Sequence, residues 1–385
     1  MILAAVLLAL GWALAGAALA GTLLAVISAA LTERYLAGPV GLGPAFASTS
    51  PDVSLIKPLH GAPAGLARSL ESFRDQDYPG EIEMLLGIQD GGDAAVAIAG
   101  AVAGGPGAKV VVVVDPTLHG ANRKVSNLIN IAAAASHGIL ILSDADIRVE
   151  PGYLRAVVAE LGESGVGAVS CLYVGEGVVG PWSRMSAMGI NYNFLPNAVL
   201  GKALGLAHPC FGSTIALRRE TLSAIGGFEV FADSLADDYE IGRAVRALGL
   251  KVAIPPIVVT HVCDESSAWA LLAHELRWTR TVWRIDAPGH VGSLVTHAFP
   301  LAVIAAALLG FQPAALGLIF TTLVARMFLK LRIDTVTGAR AGPWWLLPLR
   351  DVLSFGVFLV SFLGPNVTWQ GRRFRVDRDG VLNHR

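Results

Sequence analysis

Residues 1–32, 291–325 and 352–371 contain no charged side chain, and these three runs constrain the fold of this chain more than any other feature. A membrane-crossing helix takes about 20 apolar residues. The first run therefore predicts one generous span and the second predicts two, broken near Gln312-Pro313. The third predicts one more span or a re-entrant segment. Between them, from Tyr35 to His290, lies most of the charge, with the mixed patterning of an α/β domain. That stretch is long enough for one large domain with its own core. The expected layout is an anchor over 1–32, an α/β domain over 40–290, a membrane hairpin over 291–330, a third membrane segment over 344–366 and a basic tail over 367–385.

Ala18-Leu19-Ala20 offers the small residues of a signal-peptide cleavage site. No Lys or Arg precedes the apolar run, however, and the run is too long, so it reads as an uncleaved anchor. Arg34 and Lys57 on one side, and Lys330, Arg332 and Arg340 after the third span, place the middle domain in the cytoplasm by the positive-inside rule. Arg372, Arg373, Arg375 and Arg378 oppose a simple fourth span, which leaves a re-entrant or interfacial segment open. The net charge of −1, with no basic stripe among aromatics, speaks against a nucleic-acid partner. Cys171, Cys210 and Cys263 lie far apart, which disfavours a zinc site or a disulfide framework.

Within the middle domain, residues 53–56, 81–88, Lys109–Val114 and Ile139–Leu142 read as strands. Helical spacing covers 65–74 and 124–136, and 94–107 reads as a helix followed by a turn. Alternating strands and helices with polar strand ends predict a doubly wound, mostly parallel sheet. Ile139–Leu142 runs into Ser143-Asp144-Ala145-Asp146. Carboxylates just past the carboxyl end of such a strand sit where open α/β sheets bind ligands. Mg²⁺ takes one or two carboxylates plus substrate phosphates, so this spacing suits a metal held against a nucleotide diphosphate. Taken alone, the same residues also suit a turn.

Asp90 likewise follows a strand, and Gly91-Gly92 permits close backbone approach. Its plain reading is a turn aspartate. Asp237-Asp238-Tyr239 opens a helix whose apolar positions are Ile241, Ala244, Val245 and Leu248. One aspartate suffices as a cap; the other, about 100° around the helix, is free to face a cleft as a general base. His274-Glu275-Leu276-Arg277-Trp278, with Arg280 and Arg284, combines phosphate-binding guanidinium groups with an aromatic wall. It reads equally as an amphipathic helix at the membrane surface.

The ordered set Lys57-Pro58-Leu59-x-Gly61, Asp90, Asp144-x-Asp146, Asp237-Asp238-Tyr239 and Arg277-Trp278 resembles inverting GT-A glycosyltransferases. Within them it resembles ceramide glucosyltransferases and their bacterial relatives, including the hopanoid-biosynthesis N-acetylglucosaminyl transferases. The resemblance covers nearly the whole chain, including Trp369-x-Gly371-Arg372. It implies a cytoplasmic GT-A domain between membrane helices, in an integral protein of a bacterial inner membrane. It also implies a UDP-sugar donor, a divalent metal (Mg²⁺ or Mn²⁺) and a membrane-lipid acceptor of hopanoid or ceramide type. By the resemblance, Asp90 contacts the uridine, and Lys124 and Asn127 lie near the nucleotide. Asp144 and Asp146 hold the ribose–diphosphate and the metal, with Asp146 the more direct ligand. Asp238, with Asp237 beside it, is the base for the acceptor hydroxyl. Arg277 and Trp278 close on the diphosphate and sugar, next to His274.

Two departures stand out. His274 occupies a position usually held by Gln or Arg, and Asp146 stands where animal relatives carry Gly. The alternatives are a processive polysaccharide synthase, for which the chain offers too few spans, and a membrane-anchored binding protein without activity. Residues 181–212, with Trp182, Met185, Met188, Tyr192, Phe194 and Phe211, read either as an acceptor wall or as ordinary core.

Overall fold

The structure, a computed structural model, describes residues 2–39, 50–364, 366–369, 372–376 and 382–384. Of the basic tail expected over 367–385, residues 370–371, 377–381 and 385 lie outside the described residues, Gly371 and Arg378 among them. The chain forms two compact units. One comprises residues 38–174, 209–264 and 374–385; the other comprises 1–37, 175–208 and 265–373. Residues 175–208 and 265–290, inside the stretch expected as one domain, thus group with the N-terminal helix.

The first unit is built on ten strands: β1 (Val53–Pro58), β2 (Ile82–Ile88), β3 (Lys109–Val114), β4 (Ile139–Leu142), β5 (Ile147–Arg148), β6 (Val166–Ser170), β7 (Leu172–Gly177), β8 (Ile215–Arg218), β9 (Lys251–Ala253) and β10 (Val258–Cys263). Seven of them form a sheet in the order β3-β2-β1-β4-β8-β6-β9. β1 pairs in parallel with β2 and β4, and β2 with β3. β8 runs antiparallel to both β4 and β6. The sheet is therefore mostly parallel, as the sequence predicts, with one reversed strand.

Both faces of this sheet are covered, which is why its central strands read as unbroken apolar runs. Side chains alternate between the faces. Leu55, Met84, Leu86 and Ile141 pack with Leu70, Phe73 and Leu154 in one core. Ile56, Leu85, Leu140 and Leu142 pack with Leu128, Ile131, Ile241 and Val245 in the other. At Gly87 the sheet and the helix Arg123–Ala134 approach so closely that a Cβ would lie 2.2 Å from Ile131. Because β1 to β4 are parallel, the loops after β2 and β4 open on one carboxyl edge of the sheet. That edge carries Asp90, Asp144 and Asp146.

The second unit is helical. Ile2–Leu36, Pro313–Thr337 and Trp344–Ser361 are each long and apolar enough to cross a membrane. Ala287–Thr296 and Ala298–Leu308 form a pair bent by 67° that together passes the same test. Small residues allow close helix approach, as is usual between membrane helices. Thr22 and Thr322 meet through their hydroxyls at 2.9 Å. Charges within the apolar helices are paired, since a lone charge there is costly. Arg326 donates to both oxygens of Asp351 at 2.8 and 2.6 Å and to the Tyr192 carbonyl at 2.9 Å. Lys330 donates to Asp334 at 2.6 Å and to the Tyr192 hydroxyl at 2.8 Å. Tyr192, Met185 and Met188 are buried, so these three residues of the 181–212 stretch are core.

Candidate functional site

Lys124 lies at the centre of the carboxylate site in the first unit. It opens the helix Arg123–Ala134, whose cap is Asn122: its side-chain oxygen accepts the Val125 amide at 3.0 Å. The Lys124 ammonium lies 2.7 Å from Asp144 Oδ1 and 3.1 Å from Asp237 Oδ2. Burial alone would lower its pKa, yet Asp144 and Asp237 together hold it well above the ordinary lysine range. Lys124 therefore stays charged and ties the β4 loop to the start of the helix Asp237–Ala247.

Ala236, rather than either aspartate, occupies the cap position of that helix. Asp237 turns to Lys124. Asp238 accepts the Gly212 amide on Oδ2 at 3.0 Å and the Tyr239 amide on Oδ1 at 2.8 Å. Burial, reinforced by the neighbouring Asp237 charge, pushes the Asp238 carboxyl up to about 6. A carboxylate holds about four acceptor positions, so Asp238 retains capacity for one more donor. Gly212 is confined by this group: a Cβ there would lie 2.7 Å from Asp144 Oδ2 and 3.1 Å from Lys124 Nζ. A side chain there would have to displace the Asp144 carboxylate from its place beside Lys124.

Lys57 fixes the same loop from below. It is wholly buried at the end of β1. Its ammonium donates to the Asp144 carbonyl at 2.8 Å and to Ser143 Oγ at 3.2 Å, and lies 3.7 Å from the centre of the Phe73 ring. Burial, opposed by Asp144 and Asp146, lowers its pKa to about 7. Asp146 Oδ1 is buried without a hydrogen bond, with His261 Nδ1 3.6 Å away. That orphaned oxygen, beside a second carboxylate at Asp144, fits a hard divalent cation. Among the described residues no group of three or more His, Cys, Asp or Glu side chains forms a cage for a metal.

Asp90 and Asn127 stand apart from the Lys124 group in their bonding. Asp90 is exposed and its Oδ1 accepts the Gly92 amide at 2.9 Å, the geometry of an aspartate turn. Asn127 is buried and donates to the Gly87 carbonyl at 2.8 Å, which joins helix to strand. In the second unit, His274, Arg277 and Trp278 share one face of the helix Ala268–Ile285, at spacings of three and four. His274 Nδ1 lies 2.6 Å from Glu265 Oε1, and the His274 and Trp278 rings meet edge to face at 4.3 Å. Glu275 forms an ion pair with Arg350 at 2.6 Å.

Sequence reasoning missed Gly212, His261 and Glu265, and gave Lys57 a place in a motif without a role. Asn122 had a legible signal, an asparagine three residues before a buried valine at a helix start. The others act through contacts between segments far apart in the chain.

The chain is similar to known proteins in sequence and in fold. The profile of glycosyl transferase family 21 matches residues 13–382. Over 352 residues the chain is 23% identical to Ceramide glucosyltransferase 1 of Caenorhabditis elegans, covering 87% of this chain and 73% of that one. In fold it is similar to the mannosyltransferase from Pyrobaculum calidifontis solved in complex with GDP-Man and Mn²⁺. That likeness has a TM-score of 0.52 at 20% identity and covers 93% of this chain and 99% of the other. The profile spans nearly all of the chain and the sheet has the order and reversed strand described above: the chain belongs to glycosyl transferase family 21 and carries a GT-A fold.

Proposed function

We propose that this glycosyltransferase moves one sugar from a UDP-sugar to the hydroxyl of a membrane lipid, of ceramide or hopanoid type, with inversion at the anomeric carbon. The observation that carries this reading is the Asp238 carboxylate. It is raised to about 6 by burial and Asp237, anchored on the Gly212 amide, and set beside Asp144 and its Lys124 partner. A carboxylate in that range is ionised near neutrality yet basic enough to take a proton in the transition state.

Asp238 accepts the proton of the acceptor hydroxyl. The hydroxyl oxygen forms its bond to the anomeric carbon as the bond from that carbon to the diphosphate breaks, and the electron pair leaves with UDP. Attack from the opposite face turns an α-linked donor into a β-glycoside. Asp146 and Asp144 are the residues that would hold a divalent cation, which supplies charge neutralisation at the leaving diphosphate. Lys124 keeps Asp144 and Asp237 oriented and adds positive charge on the same side. Lys57 holds the Asp144 backbone. Arg277 and Trp278 fit the diphosphate and sugar by chemistry, as a guanidinium and an aromatic wall.

The lipid acceptor is supported by the likeness to a protein named a ceramide glucosyltransferase and by three helices long and apolar enough to span a bilayer. Arg34, Lys330, Arg332 and Arg340 support a cytoplasmic catalytic face. The test is nucleotide release by the purified full-length chain with Mn²⁺ and a lipid extract, run in parallel with UDP-sugars and GDP-mannose. Lipid-dependent UDP release is expected. Release with GDP-mannose alone would overturn the donor assignment, and release unaffected by lipid would overturn the acceptor.

A further inference from the structure

The helical unit contains a partly open cavity of about 260 Å³, just below the usual range of ligand pockets. Its walls are of two kinds. Phe194, Val282, Val357 and Phe358 give it an apolar surface, while His274 and Arg350 face it with polar groups. A five-residue π-helical turn, Ile190–Phe194, forms part of the wall. Such turns are rare and concentrate at functional sites.

One buried group at the wall of this space lacks a polar partner. Arg350 is 4% exposed. One side of its guanidinium is bonded to Glu275, yet its Nε is buried without a hydrogen-bond acceptor. Behind this wall Glu265, 6% exposed, receives His274 and Ser186 on Oε1 at 2.6 and 3.0 Å, which orients the His274 ring. Buried donors left unpaired cost more than a hydrogen bond returns, so an orphan at a cavity wall marks where a ligand oxygen belongs. The occupant is not the diphosphate of the donor, because the cation at the wall is already neutralised by Glu275. Val357, Phe358 and Arg350 belong to the candidate span Trp344–Ser361, so the cavity is walled by a helix that a bilayer would surround.

We propose that this cavity takes the polar end and first chain segment of the lipid acceptor. His274, oriented by Glu265, meets a hydroxyl of the lipid, and Arg350 Nε meets a second oxygen. The assignment rests on the lipid-acceptor reading above and gives that substrate its place. Trp278, which also lines the cavity, puts the occupant beside the residues that fit the transferred sugar. His274 is accordingly a positioning residue for the acceptor, rather than a contact of the nucleotide.

The test uses the purified full-length chain in detergent and whichever of ceramide or a hydroxylated hopanoid the wild type glycosylates. Val357→Trp and Asn197→Trp each fill the cavity. KM for the lipid is expected to rise about ten-fold or more, with UDP-sugar binding measured by calorimetry within about two-fold of wild type. Photolysis of the wild type with a diazirine-bearing form of the same lipid keeps the test decisive if both variants fail to fold. Labelling is expected within 186–197, 274–297 or 347–358, the segments that carry the lining of the cavity. Lipid KM unchanged in a folded variant, or labelling confined to residues outside these segments, would overturn the assignment. A wild type that glycosylates neither lipid would overturn the acceptor reading itself and the cavity assignment with it.

Discussion

Asp238 is the residue on which the chemistry turns. Asp238→Asn keeps the shape and one of the two oxygens that accept the Gly212 and Tyr239 amides but removes the base. The expected loss in kcat is about 10²–10⁴-fold, with UDP-sugar affinity nearly unchanged by calorimetry. Near-wild-type turnover would move the base elsewhere, Asp237 first. The pH dependence follows from the raised carboxyl. The ionised form is the active one, and burial with Asp237 places its pKa at about 6. The log of kcat/KM should therefore be level above that value and fall with unit slope as pH drops through it. A carboxyl at its usual value would keep activity flat well below pH 6. Asp146→Ala removes the orphaned oxygen at the site. Mn²⁺ should then no longer strengthen UDP binding; equal strengthening in mutant and wild type would contradict the metal assignment.

At this scale the sequence was informative about acidic residues and silent about what holds them. Asp144, Asp146, Asp237 and Asp238 announce themselves at a strand end and a helix start. Lys57 reads as an ordinary polar strand terminus, yet it is buried against Phe73 and carries the Asp144 backbone. Gly212 has no local signal, because its constraint comes from Asp144 and Lys124, far from it in the chain.

Among the elements, the helix Arg123–Ala134 depends on a single cap. Asn122 accepts the Val125 amide and donates to the Ser234 carbonyl at 2.7 Å. Asn122→Ala should lower stability by about 1–2 kcal/mol, read as a lower unfolding midpoint, and should weaken catalysis because Lys124 is the second residue of that helix. In the helical unit, Arg326→Leu leaves Asp351 buried without its cation, a loss of about 3–5 kcal/mol. Arg326→Leu combined with Asp351→Leu should regain much of that stability. If the double variant is no more stable than the single one, the pair is not what joins these helices.

Element legibility had two sources. β4 coincides with the run Ile139–Leu142, where apolar residues fill a buried central strand, and β3, half-buried at the edge of the sheet, coincides with Lys109–Val114 through its run of β-branched valines. β8 was not legible, because four residues, Ile215–Arg218, hold no period that separates strand from helix. Its direction follows from pairing with β4 and β6, which no local pattern encodes.

For the whole molecule, the charge-free runs announced apolar helices, and the structure contains three that meet the requirement for crossing a membrane. The interleaving of the two units was not visible. Residues 175–208 and 265–290 carry polar and charged side chains and so read as part of the α/β domain, yet they group with the apolar helices. Their polar side chains are used inside that unit: Asn193 accepts from Arg326 at 2.6 Å, and Glu275 pairs with Arg350. The proposed function rests on the candidate base Asp238 and on helices long and apolar enough to cross a membrane.

That account meets its most direct test in the product itself. The purified chain, with UDP-sugar, Mn²⁺ and a hydroxyl-bearing membrane lipid, should yield a lipid one hexose or N-acetylhexosamine heavier by mass spectrometry, with a β anomeric coupling by NMR. An α-linked product, a ladder of many sugars, or transfer to a soluble sugar in place of the lipid would contradict it.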